Sequence, residues 1–234
     1  MTTAPLRRWP NPALPDWDGS IAAALEQQVE LSRRVLKRDD FATPLRTVAG
    51  FDVGFEDGNT AGDSMIVRAA AVLLDADTLE VLDRQVARVP ASLPYAADLL
   101  GFLGLPALFA VLEQLPRRPD LAFVDGHGIA HPRRFGVAAH FGVAADLPSI
   151  GVSNEVLVGT AAALHEIRGA HTPLRDHGEQ IGWLLRSKVG GRPLVVSPGH
   201  RVSMTAAAQM VMRYVDGDRL PLPTRLADSL ASRR

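Results

Sequence analysis

No cysteine occurs in the chain, which excludes disulfides, a thiolate zinc site and a thiol nucleophile. An excess of charge of one sign is also lacking: 25 Lys and Arg stand against 26 Asp and Glu, a formal net charge of -1. No overall basic field therefore draws the chain to nucleic acid, and any phosphate binding has to be local. Apolar runs are broken by Gly, Pro or a charge well short of the ~20 residues of a membrane span. The start, MTTAPLRRWPNP, has no apolar segment of the signal-peptide type. These absences lead us to expect a cytoplasmic protein with no membrane role. Aromatic residues make up only 6% of the chain, but 47% hydrophobic residues over 234 positions are ample for a packed core.

What the chain does have is concentrated in Leu121 to Gly136, LAFVDGHGIAHPRRFG. An apolar run of this kind, bounded by Pro119-Asp120 and Gly126, predicts a buried strand that delivers Asp125 into a loop. Gly126 and Gly128 bracket His127 and would let the backbone approach a ligand closely. Pro132 suits the first turn of a helix beginning near Arg133, whose free N–H groups, beside Arg133 and Arg134, would suit an anion. A second carboxylate, Asp52, lies in the apolar strand pattern TVAGFDVG between two glycines. Burying it costs several kcal/mol unless it is paired or metal-bound.

The surrounding pattern predicts an α/β fold. Residues 1–17, with four prolines and two tryptophans, read as an extended arm, and 18–234 as one domain. A helix is expected from Trp17 to about Arg38, and strands over 47–54, 65–74 and 80–89 as an antiparallel meander. A further helix over 97–115 should be kinked or irregular around Gly101, Gly104 and Pro106. A short helix over 133–141 and a strand over 147–152 follow. Strands over 179–188 and 192–196 come next, the second ending in a site-like SPGH loop before a helix over 203–215. A mixed sheet built this way can make Asp52 and Asp125 neighbours. Two converging carboxylates offer hard oxygen ligands to Mg2+ or Mn2+.

VAGFDVGF, PY at 94 and 95, FVDGHGIAHPRRFGVAAHFGV, PSIGV, SPGHRVS and RLPLPTRLAD, in this order, resemble the endonuclease V family over roughly residues 18 to 230. The resemblance implies a ribonuclease-H-like mixed sheet flanked by helices. It also implies a magnesium-dependent nuclease of DNA repair type that cuts DNA or RNA one nucleotide 3′ of an inosine. Asp52 and Asp125 are then the catalytic metal ligands, with Asp228 close to the metal. Tyr95 belongs to a wedge supporting an extruded base, and the loop from Gly126 to His131 lines the base pocket. Gly126, His127, Gly128, His131, Arg133, Gly151, Gly199 and His200 complete the implied substrate site.

Two positions depart from the family pattern. PYIPGLLAFREGP aligns with PYAADLLGFLGLP, putting Gly104 where a metal-binding glutamate is expected, and PTIGVAK aligns with PSIGVSN, putting Asn154 where a phosphate-stabilising lysine is expected. Losing one such stabiliser typically costs roughly a hundred- to a thousandfold in rate. The readings that follow are an endonuclease for inosine-containing single-stranded DNA or RNA with impaired or altered activity and a weakly held metal, an inactive inosine or nucleic-acid binder, and an enzyme repurposed for a small molecule. For His127, His131 and His200, a hydrogen bond that merely holds a loop is as good an expectation as ligand contact.

Overall fold

The computed structural model describes residues 20–56, 65–91 and 99–232. The N-terminal arm, the turn expected at Asp57 to Asn59, and Pro94, Tyr95 and Asp98 lie outside the described residues.

The first helix, α1 (Ile21–Ser32), is capped by the Ser20 hydroxyl, which accepts from the Ala23 N–H. It ends before Val35, earlier than the sequence predicts. The meander follows as β1 (Thr47–Glu56), β2 (Ile66–Asp75) and β3 (Val81–Pro90), antiparallel throughout. After α2 (Leu100–Gln114) come β4 (Leu121–Asp125), α3 (Val137–Ala145) and β5 (Ser149–Ser153). The chain closes with β6 (His171–Asp176), β7 (Glu179–Leu185), β8 (Leu194–His200), α4 (Met204–Arg213) and α5 (Leu222–Ala231). One sheet takes all eight strands in the order β3-β2-β1-β4-β5-β8-β7-β6, with β1, β4 and β5 parallel. No helix among the described residues is long and apolar enough to cross a membrane.

Period-two alternation in β1 and β4 divides the core between the sheet's two faces. Ala49, Phe51, Val53, Ala122 and Val124 pack with α2 and α3, where Phe51 meets Phe141 at 4.9 Å between ring centroids. Val48, Leu121 and Phe123 pack with α4 and α5, where Phe123 meets Tyr214 at 5.3 Å. Full burial of a Phe of this kind is worth about 1.5–3 kcal/mol.

Three expectations are corrected. The helix over 100–114 runs without an irregular turn, although Pro106 lies inside it; nine of its 15 residues are buried, all four of its first turn after Leu100 among them, and tertiary packing outweighs the weak propensity of its glycines. The helix expected at Arg133 starts at Val137, because Arg134 adopts φ +56 and stops any helix there. Ser197 to His200 form the second half of β8 rather than a loop. The edge strand β6 was not expected at all.

Candidate active site

Strand alternation points Asp52 and Asp125 toward the same face of the sheet, the one covered by α5. Their strands run parallel with Phe51 opposite Val124, so the two aspartates, each one residue further on, finish side by side. Gly50 and Gly54 flank Asp52 on that face. A Cβ at Gly50 would collide with the Pro223 carbonyl, and one at Gly54 would lie 3.5 Å from the Ala231 carbonyl oxygen. The missing side chains let α5 lie directly on β1. That approach delivers Asp228: one carboxylate oxygen from each of Asp52, Asp125 and Asp228 lies within 4.8 Å of the others, all three residues half-buried.

Burial and mutual repulsion govern Asp52 and Asp125. Desolvation pushes the Asp52 carboxyl up to about 6, opposed by the Val53 N–H that donates to it at 2.7 Å and reinforced by Asp228. Desolvation also pushes Asp125 up, to about 7, with Asp52 and Asp228 adding to the rise and Arg219 drawing it back. Three hard oxygens converging without enough positive charge fit a divalent cation.

The glycine-broken loop beside Asp125 is built by backbone packing. Gly126 adopts φ +130, a conformation that side chains resist, and its N–H donates to the Val152 carbonyl at 2.9 Å. Gly128 sits against the Pro198 carbonyl and donates from its N–H to the Ser197 hydroxyl at 2.9 Å, while Gly151 lies beneath the loop backbone at Gly126 to Gly128. Gly128 thus makes a close backbone approach to β8.

His127 Nε2 lies 2.8 Å from the Glu155 carbonyl, and burial lowers its pKa. The buried His131 accepts at Nδ1 from the Arg133 N–H at 3.2 Å. Both histidines thus brace loops. Arg133 donates from Nε to Gln28 Oε1 at 2.5 Å, and Arg134 pairs with Asp176 and Glu179, each at 2.8 Å. At the start of α3 the Gly136 and Ala138 N–H groups donate to the Gly128 and His127 carbonyls.

Gly199 and His200 are not brought to the carboxylates. The β8 strand runs antiparallel to β5 and pairs His200 with Ser149, whereas Asp125 pairs with Val152 at the other end. His200 accepts at Nδ1 from the Leu36 N–H at 3.3 Å, and its Nε2 lies 3.6 Å from Asp146.

Gly104 also starts from the other face of β1. An added Cβ there would lie 3.2 and 3.3 Å from the methyl carbons of Val53, on the α2 side. Asn154, just past β5, accepts at Oδ1 from Arg219 at 2.5 Å. Sequence reasoning passed over Arg219 although it opens the quoted stretch RLPLPTRLAD.

A family model described as Endonuclease V matches residues 29–229. The endonuclease V of Xanthomonas campestris pv. campestris strain 8004 is 55% identical over 224 residues, covering 96% of this chain and 93% of that protein. The crystal structure of the Streptomyces avermitilis endonuclease V superimposes with a TM-score of 0.84 at 37% identity, covering 92% of each chain. A Ciona intestinalis endonuclease V, crystallised with a 24mer DNA containing an inosine followed by a ribo-adenosine, shares the fold at TM-score 0.75 and 22% identity, covering 90% of this chain and 95% of that one.

Proposed function

The chain belongs to the endonuclease V family, with its ribonuclease-H-like sheet, and from that premise we propose that it is a divalent-metal-dependent phosphodiesterase acting on inosine-containing single strands of DNA or RNA. The observation that carries this reading is the convergence of Asp52, Asp125 and Asp228 within 4.8 Å. These three residues would hold Mg2+ or Mn2+. The ion, when bound, neutralises charge on the phosphodiester and activates water for in-line displacement. The chain's own part is to hold three carboxylates on β1, β4 and α5 at fixed spacing, with α5 pressed onto β1 at Gly50. The raised affinity of Asp52 and Asp125 for protons makes them exchange protons for the cation near neutral pH.

Substrate selection is assigned to the loop from Gly126 to His131 and to Tyr95, following the resemblance. The loop is anchored independently of residues 104 and 154, so recognition of inosine should survive even where cleavage is slow. The test is incubation of inosine-containing single-stranded DNA and RNA with the protein and Mg2+ or Mn2+, with Asp52→Ala as control. Cleavage 3′ of the inosine that the control loses supports the proposal. Preferential binding of the inosine strand without cleavage would instead establish a binder, the reading that Gly104 favours by leaving α2 without a carboxylate at that position.

A further inference from the structure

Among the described residues Arg219 is the positive charge that draws Asp125 back down, and its environment is unusual for an arginine. Its neighbours in sequence, Asp216 and Asp218, are taken by other bases: Arg225 pairs with them at 2.6 and 3.2 Å, and Lys188 reaches Asp218 at 3.6 Å. Arg219 itself has no ion-pair partner within 4 Å among the described residues. Its Nη2 donates to Asn154 Oδ1 at 2.5 Å, while Nη1 is buried and has no hydrogen-bond partner among the described residues. The backbone beneath it is fixed by the Ser187 hydroxyl, which donates to the Arg219 carbonyl at 2.5 Å.

A buried guanidinium nitrogen without an acceptor is costly, and most such groups in native proteins meet a partner. Here a neutral amide at the end of β5 holds one arm of the fork and leaves another uncommitted near the carboxylate that ends β4. An arginine fork is suited to two adjacent oxygens of a phosphate. We propose that Arg219 is the cation that meets the reacting phosphodiester, with Asn154 as the positioning residue that aims it. With Asn at 154, positive charge is kept at this point by Arg219, from which the amide oxygen accepts.

This inference rests on the proposed function for the identity of the strand, but the measurements that decide it are of binding. Binding of an inosine-containing single-stranded DNA is measured in chelator by fluorescence anisotropy across a salt series. Each phosphate contact contributes about 0.7 to the log–log salt slope on a single strand. Arg219→Gln should lower the slope by about 0.7, and Arg219→Lys, which keeps the charge, should retain it. A neutral methylphosphonate at the linkage one nucleotide 3′ of the inosine should weaken binding to the wild type and to Arg219→Lys, but have little effect on Arg219→Gln. Asn154→Ala should keep the slope, because the cation remains, while lowering metal-dependent cleavage roughly tenfold or more. An unchanged slope in Arg219→Gln, or an equal effect of the methylphosphonate on all forms, overturns the assignment. Should Arg219→Gln fail to fold, the comparison of methylphosphonate and native strands on wild type and Arg219→Lys still decides: no effect at that linkage overturns it. A wild type that binds through Arg219 but neither cuts nor prefers inosine would remove the proposed function and leave this inference standing.

Discussion

Asp52 and Asp125 are held at an energetic cost that a neutral side chain would not bear. Asp125→Asn should therefore raise the stability of the metal-free protein at pH 8 by about 1–2 kcal/mol, discounted from the full shift because the group is only half-buried. Chemical denaturation in chelator reads this directly, and a loss of stability would count against repulsion within the cluster. Residue 104 sets a contrary expectation. Gly104→Glu gains about 1 kcal/mol of helix propensity, but its Cβ presses on Val53, and overpacking of this kind typically costs about 1–3 kcal/mol. The single variant should be destabilised and Val53→Ala should relieve it, a coupling that a double-mutant cycle measures. Asp52 and Asp125 were legible in the sequence because a carboxylate in an apolar strand pattern has few bland explanations, whereas Asp228, on α5, was reached only through the family resemblance. Arg219 was not, because what sets it apart is a nitrogen left without a partner, a property of packing that spacing does not encode.

At the scale of elements, α2 and α3 meet through an unusual pair. His140 of α3 is fully buried, flanked by Phe102 at 4.7 Å and Phe135 at 4.8 Å, and neither ring nitrogen has a hydrogen-bond partner among the described residues. Opposite it stands Gly101 of α2, where a Cβ would come within 2.7 Å of the His140 Nδ1. Gly101→Ala should destabilise the fold by about 1–3 kcal/mol despite better helix propensity. The same change in a His140→Ala background should cost far less; equal costs in both would show that the two residues do not meet. Here lies the reason that the sequence predicts an irregular turn where a regular helix stands. Glycines read as helix breakers on propensity alone, and their value as close-contact surfaces depends on a partner 39 positions away in the chain. The antiparallel meander of β1, β2 and β3 was legible because alternation and turns are local, whereas β6 draws its stability from pairing with β7.

For the whole molecule, pH acts through groups of opposite sign. Burial alone pushes His140 down to about 3, so the native state stays neutral where the unfolded chain takes up a proton. Stability from this source is full above pH 6.5 and falls as pH drops from 6.5 toward 3, by about 2 kcal/mol at pH 5. Asp52 and Asp125 act the other way: their raised native values give stability that is present near pH 4 and lost as pH rises through 6 and 7. Thermal melts of His140→Leu should lose the acid-side decline, and those of Asp125→Asn the decline toward neutral. Parallel curves for wild type and His140→Leu would refute the first assignment. Magnesium should raise the melting temperature of wild type but not of Asp52→Asn, since binding to the native state alone stabilises it by mass action.

The backbone on which the Asp125 loop rests, together with the seat of α5 on β1 at Gly50, carries a consequence for tolerance to mutation. At Gly50, Gly128, Gly136 and Gly151 even one added carbon would strike main chain rather than a movable side chain. In a library screened only for soluble folded protein, these four columns should remain glycine, while Asp52, Asp125 and Asp228 drift freely and favour neutral replacements. Adding a selection for cleavage should then fix the aspartates without altering the glycine columns. Invariance at this loop thus has two origins, and only the part that appears under the second selection reports on chemistry.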